Sequence, residues 1–107
     1  TTLPTARRVN SSFNHLVCSG CIDEFDALRY TPAGLPALNL KLTHESSVQE
    51  AGQERQVKAT VKAIAFGVIA ERLVQQAIGS GWKFTGFLAT PRNGRQVVLH
   101  IQEFQQD

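Results

Sequence analysis

At 107 residues the chain supports a single hydrophobic core, because a second domain would have too few residues to bury. Its 42% apolar content is ordinary for a globular protein, and a formal charge of +2 with a pI near 8.8 permits a polyanionic partner without requiring one. The longest apolar run, within 63–70, is far too short to span a bilayer, and no secretory leader pattern is visible, so no membrane partner is expected.

Residues 1–12 (TTLPTARRVNSS) carry no usable periodicity and are expected to form a flexible arm, with Arg7 and Arg8 as weak phosphate contacts. A first strand is expected over 13–28. Leu16, Cys18 and Ile22 share a parity there, and the apolar parity becomes confused beyond Asp23, as in a long coiled strand with a bulge near Gly20. Cys18 and Cys21 form the pattern CSGC. A zinc site of that spacing needs a second ligand pair, which is absent, and at separation three two side chains leave opposite faces of a strand. Two unrelated thiols without a larger cysteine framework fit a reducing cytoplasm. No metal or other cofactor is expected.

Thr31-Pro32-Ala33-Gly34 reads as a tight turn. After it Leu38, Leu40 and Leu42 alternate with Asn39, Lys41 and Thr43, giving a second strand with leucines inside and polar groups outside. A polar loop is expected over 44–54. The third strand follows over 55–66, with Val57, Ala59, Val61 and Ala63 on one parity and Gln56, Lys58, Thr60 and Lys62 on the other. Gly67 ends it. The periodicity predicts a helix over 68–78, with Ile69, Ala70, Leu73, Val74, Ala77 and Ile78 on one side and Gly79-Ser80-Gly81 as its stop. Two last strands, 82–90 and 96–104, flank a Pro91-Arg92-Asn93-Gly94-Arg95 loop with an Asn-Gly turn signal, leaving 105–107 as a tail. Strand, strand, strand, helix, strand, strand over 13–104 is the order of an all-β domain with one helix: a five-stranded OB-fold Greek-key barrel with its helix between strands three and four.

Catalysis finds no support in the pattern. His44, Glu45 and Ser46 are adjacent in sequence, but a triad needs spatial geometry and a nucleophile elbow, and local hydrogen bonding by a loop-edge histidine accounts for His44. Glu45, Glu50 and Glu54 have no fixed partner that would make an acid/base or metal site. A distributed basic surface is the feature that suggests a ligand. Arg29 ends the first strand, Lys41, Lys58 and Lys62 occupy the polar face of the next two, Arg55 heads the third, and Arg92 and Arg95 tip the last hairpin loop. On an OB-fold the face of strands two and three, with the loops beside it, takes oligonucleotides, and these cations are expected to converge on one outward wall. The same residues also suit a plain solvated face. Phe13, Phe66, Trp82, Phe84, Phe87 and Phe104 lie in apolar runs and are assigned to the core, so binding is expected to rest on phosphate charge and to depend strongly on salt.

The segment TPAGLPALNLKLTHES, followed by VQEAG and RQV, resembles the bacterial primosomal replication protein N family, PriB. NHLVCSGCI near the start and RNGRQVVLHIQEF at the end are similar to the family's first strand and last hairpin, so the likeness runs from about Asn14 to Phe104. The resemblance implies a homodimeric OB-fold protein, non-catalytic, that binds single-stranded DNA and the PriA helicase at stalled replication forks. It further implies a hand-off to DnaT or helicase-loading proteins that reloads the replicative helicase. It assigns DNA contact to Arg29, Arg55, Arg92 and approximately Arg95. Where the best-studied pattern has aromatic residues this chain has Gln53 and Lys58, so base stacking is lost at both. Two rival expectations stand beside this one: an adaptor domain that binds protein and scarcely touches DNA, and an RNA-binding barrel of the cold-shock kind, disfavoured by the missing aromatic row.

Overall fold

The computed structural model describes residues 12–106; Arg7, Arg8 and most of the expected arm lie outside them, as does Asp107. The strands are β1 (Leu16–Phe25), β2 (Arg29–Tyr30), β3 (Pro36–Glu50), β4 (Gln53–Phe66), β5 (Gly81–Ala89) and β6 (Val98–Gln105), with the helix α1 (Val68–Leu73) between β4 and β5. The sheet order is β1-β5-β6-β4-β3-β2, and a further β1–β3 pairing closes it into a barrel. Apart from the two-residue β2, this is the expected five-stranded closed barrel with one short helix.

Closure depends on β1 serving two neighbours. Leu16 to Cys21 pair antiparallel with β5, and from Cys21 to Phe25 the strand pairs with β3. The bulge that lets it turn lies between Ile22 and Glu24, just beyond the glycine where the parity change suggested one. Gly20 serves a different end: a Cβ there would sit 2.8 Å from the Thr43 carbonyl oxygen, so β1 and β3 could not approach as they do. The core holds the leucines that alternation assigned to it, but of Val57, Ala59, Val61 and Ala63 only Ala63 is buried, since the outer part of that strand runs beyond the barrel body. Leu38, Leu40 and Leu42 of β3, Ala63 and Ala65 of β4, and Leu99 and Ile101 of β6 are buried with Ile22, Phe84 and Phe104. Fully burying a side chain as large as that of Phe84 or Leu38 stabilises the fold by about 2–3 kcal/mol. Ala70 and Leu73 of α1 plug the barrel end.

Two elements differ from expectation. The 44–54 segment is not a loop: β3 and β4 run in unbroken register from Ala37↔Phe66 to Glu50↔Gln53. They form one long hairpin closed by Ala51-Gly52, with φ of 54° and 79°. Positive φ at both central residues gives the turn the twist that a two-residue hairpin needs. The outer half of this ribbon is exposed on both faces, so no apolar alternation marks it in the sequence. Conversely, Asn93-Gly94 does not make a tight hairpin. Gly94 N–H donates to the Pro91 carbonyl at 3.1 Å, a local turn inside a longer connection between β5 and β6.

The helix is shorter than its periodicity suggests. After Leu73 the bonds tighten to i→i−3, Gln75 N–H to Arg72 O and Gln76 N–H to Leu73 O. The chain must then turn, because Gly79 N–H donates to Ile22 O and Ile22 N–H donates to Ser80 O, anchoring 79–80 on β1. Gly79, at φ 91°, makes that turn.

Candidate nucleic-acid interface

Residues opposite one another across paired strands share a face. The register therefore sorts the predicted cations. Arg29 faces Ala37, Lys41 faces Lys62, and Glu45 faces Lys58, all on the side opposite the buried leucines. Arg29, Lys41, Lys58 and Lys62 thus occupy one outward wall, as the alternation suggested. Arg55 does not. It is opposite Val48, with the parity of Val57 and Val61, so it lies on the other face of the ribbon, where its Nε meets Glu50 at 2.6 Å. The expectation of one wall including Arg55 is corrected on this point. Beyond the barrel body the ribbon has two solvent-facing sides, and a residue near its tip is no longer bound to the outward one.

Partners differ among the wall cations. Arg29 donates from Nε and Nη2 to Asn39 Oδ1, at 3.3 and 3.0 Å, which fixes the guanidinium without neutralising it. Lys41 pairs with Glu24 Oε1 at 3.1 Å. Its hydrogen bond to Glu24, with that carboxylate's charge, holds its pKa above the ordinary lysine value, so it is fully an ammonium at neutral pH. Lys58, Lys62, Arg92 and Arg95 have no carboxylate within ion-pair distance among the described residues. A shallow groove along the wall joins Lys62 to Pro91, Gly94 and Arg95, so the β5–β6 connection brings Arg95 to the β4 lysine. Arg92 sits exposed in the same connection but outside that lining. A neighbouring concavity brings Lys41 and Lys62 together with Glu24 and Asp26. The wall is basic but interleaved with acids.

His44 is resolved as a structural residue. Since the Ser19 carbonyl can only accept, His44 Nδ1–H donates to it at 2.6 Å, and Nε2 then accepts from Ser46 Oγ at 2.8 Å. Glu45 points to the opposite face, so no triad assembles. Cys18 is half-buried, and burial raises its thiol pKa; Cys21 is exposed, and both are free thiols.

The aromatic assignments divide. Phe84 and Phe104 are core. Trp82 is half-buried edge-on to Phe104, at 5.0 Å between centroids, with its indole N–H donating to Ser80 Oγ at 2.8 Å. Phe13, Phe66 and Phe87 are not core; Phe13, ahead of β1, is 81% exposed. Phe66 is 37% exposed and Phe87 half-buried, both on the outward wall, as is His100. Sequence reasoning missed them because each sits beside buried neighbours in an unbroken apolar run, such as Ala63 to Phe66. It also missed Asn39, which orients Arg29, and Asn14, whose amide bonds both backbone groups of Leu88 at 2.8 and 3.0 Å.

Against known proteins, residues 14–103 match a family described as "Another single-strand binding protein family". Over 91 residues the chain is 45% identical to the replication restart protein PriB of Bordetella pertussis, covering 84% of this chain and 85% of that protein. The chain belongs to the PriB family. PriB of Nitrosomonas europaea is 40% identical over 91 residues, covering 84% of each chain. The solved PriB of Ralstonia solanacearum superposes with a TM-score of 0.81 at 33% identity, covering 89% of this chain and 98% of that one. The SSB domain of a Synechococcus protein, 16% identical, covers 92% of this chain and 100% of its own at a TM-score of 0.68, and shares the fold. The family resemblance read from the turn, the first strand and the last hairpin is thereby confirmed.

Proposed function

We propose that this protein is a non-catalytic, single-stranded-DNA-binding accessory factor of replication restart. In this reading it holds the exposed strand at a stalled fork, stabilises PriA helicase there, and assists DnaT or helicase-loading proteins in reloading the replicative helicase. The observation that carries the reading is the shared wall of Arg29, Lys41, Lys58 and Lys62, on the barrel face where OB-folds take oligonucleotides, in a chain of the PriB family. Arg92 and Arg95 extend the track from the β5–β6 connection. Arg55 is reached only by a strand that wraps the ribbon. The strand preference follows from shape, since a flexible single strand can follow a curved wall that a duplex spans only at a tangent.

The working form is a homodimer in the cytoplasm. Among the described residues, Leu16 to Gly20 of β1 pair with β5 on one side only, and Val17 there is 50% exposed, an open edge that a second copy can pair. No helix among the described residues is long and apolar enough to cross a membrane.

Fluorescence anisotropy of a labelled single strand and a matched duplex, each at two salt concentrations, tests the reading. Tighter binding of the single strand, falling steeply with salt, is expected; equal affinity for both forms would falsify it. A second reading, a protein-binding adaptor with little affinity for DNA, is favoured by Glu24 and Glu50, which tie up Lys41 and Arg55. Titration with PriA separates the two, because an adaptor binds the helicase equally well with and without DNA.

A further inference from the structure

The outward wall carries a row of rings that charge-based binding leaves unused. His100 of β6 lies opposite Phe87 of β5, and their rings stack with centroids 4.8 Å apart at 16°. Across the β4–β6 pairing, Ile64 faces His100 and Phe66 lies one step diagonal to it, its ring 6.0 Å from the imidazole and tilted 31°. Phe66, His100 and Phe87 therefore stand side by side across three adjacent strands, like books on a shelf. All three face outward, away from Ala65, Leu99 and Ile101, which are buried on the inner side.

We propose that the Phe66–His100–Phe87 row is a nucleobase-stacking site, in which an unpaired base of the bound strand adds to the Phe66 end of the row. The inference rests on the single-strand reading above and supplies the stacking that Gln53 and Lys58 do not. Position selects the occupant. Ala37 lies directly between Arg29 and Phe66 in the cross-strand register, so the backbones at Arg29 and Phe66 are two strand spacings apart, roughly 10 Å. Two residues before Ile64 on the same face is Lys62, which shares its groove with Arg95. Cations thus flank the rings on both sides at separations a nucleotide can bridge, with phosphates on the cations and the base on the row. Ring centroids at 4.8 and 6.0 Å lie in the range at which aromatic pairs attract, so a further ring can extend the row in the same way. An apolar protein partner would leave Arg29, Lys62 and Arg95 uncompensated beside it; a polynucleotide satisfies both features at once.

The test compares Phe66→Leu and Phe87→Leu with the unmodified chain, binding oligothymidylate and an abasic strand of equal length. Leucine keeps an apolar side chain suited to the barrel wall, and circular dichroism checks the fold. Loss of one stacked base corresponds to about a tenfold weaker complex. Phe66→Leu is expected to lose that factor on oligothymidylate, with no change on the abasic strand and no change in the salt slope. Equal loss on both strands, or no loss on either, overturns the stacking site while leaving single-strand binding standing. If the unmodified chain binds neither strand, both readings fall together. A change in sedimentation coefficient on Phe66→Leu assigns the row to contact between copies instead, which also overturns it.

Discussion

Removing Lys58 and Lys62 together should do more to DNA binding than removing Arg55, although all three are cations of the same strand. The difference comes from register and pairing. Lys62 is outward, lies in the groove with Arg95, and has no carboxylate partner among the described residues; Lys58 is outward and faces Glu45 across the ribbon. Arg55 is on the other face and already bound to Glu50 at 2.6 Å. For single strands each neutralised phosphate contributes about 0.7 to the slope of log K against log salt, which at 0.1 M salt is about a fivefold gain in affinity per contact, on the order of 1 kcal/mol. The cations left open on the wall and its adjoining loop are Arg29, Lys58, Lys62, Arg92 and Arg95, so a slope of roughly −3 is expected if nearly all engage. Lys58→Ala/Lys62→Ala should then reduce the slope by about 1.4 and weaken binding by about twenty-five-fold at 0.1 M salt. Glu45 opposes phosphate at the Lys58 end, so Lys62 should carry the larger share. Arg55→Ala should shift the slope by less than half of one contact. The assay is anisotropy of a labelled oligothymidylate across a salt series, with urea unfolding to confirm an unchanged fold. A full-sized effect from Arg55→Ala and none from the double substitution would refute the wall and place the strand on the ribbon's other face.

Glu24→Gln should release Lys41 from its ion pair and tighten strand binding by about twofold to fivefold at low salt, up to the worth of one added phosphate contact; it should also lower the Lys41 pKa, visible by NMR at the side-chain carbons. Gly86→Ala should destabilise the barrel by about 3 kcal/mol or more in urea unfolding, because a Cβ there would drive into the His100 carbonyl oxygen and neither backbone can yield. Iodoacetamide at neutral pH should label Cys21 in the folded protein and Cys18 only slowly, because burial both shields the Cys18 thiol and raises its pKa; peptide mapping reads the order.

The barrel was legible wherever one face of a strand is buried and the other wet. Leu38, Leu40 and Leu42 announced β3, and Val61 and Ala63 the inner half of β4, because alternation there records a real difference of environment. The outer half of the same hairpin was illegible for the converse reason. From Glu45 to Gln56 neither face of the ribbon meets the core, so Ser47, Val48 and Gln49 carry no period, and a polar loop was the natural expectation. What holds that half is the cross-strand ladder, the Ala51-Gly52 turn and contacts such as Ser47 Oγ to Glu54 Oε2 at 2.7 Å. The Asn-Gly pair misled in the other direction: its signal is specific only when two strands end directly against it, and here β5 and β6 stop several residues short.

The candidate site was legible in its charges and not in its rings, and the reason lies in how β4 and β6 change environment along their length. Near Lys58 and Lys62 the outward positions of β4 are charged, so parity alone separates wall from core. Past Lys62 the outward positions become Ile64 and Phe66, and the strand turns into a continuous apolar run, AIAF, in which the two faces look alike. Such a run usually means burial on both sides, which is why Phe66 was assigned to the core. In the barrel, β4 here is sandwiched between β3 and β6 within the sheet but covered on its inner face only, and the outward apolar residues find partners sideways, Phe66 on His100 and His100 on Phe87. That lateral packing accounts for why an apolar wall is tolerated in solvent. It also leaves the row with an exposed end at Phe66, two strands from Arg29, and an exposed aromatic end on a wall of cations is a feature that core packing alone does not call for.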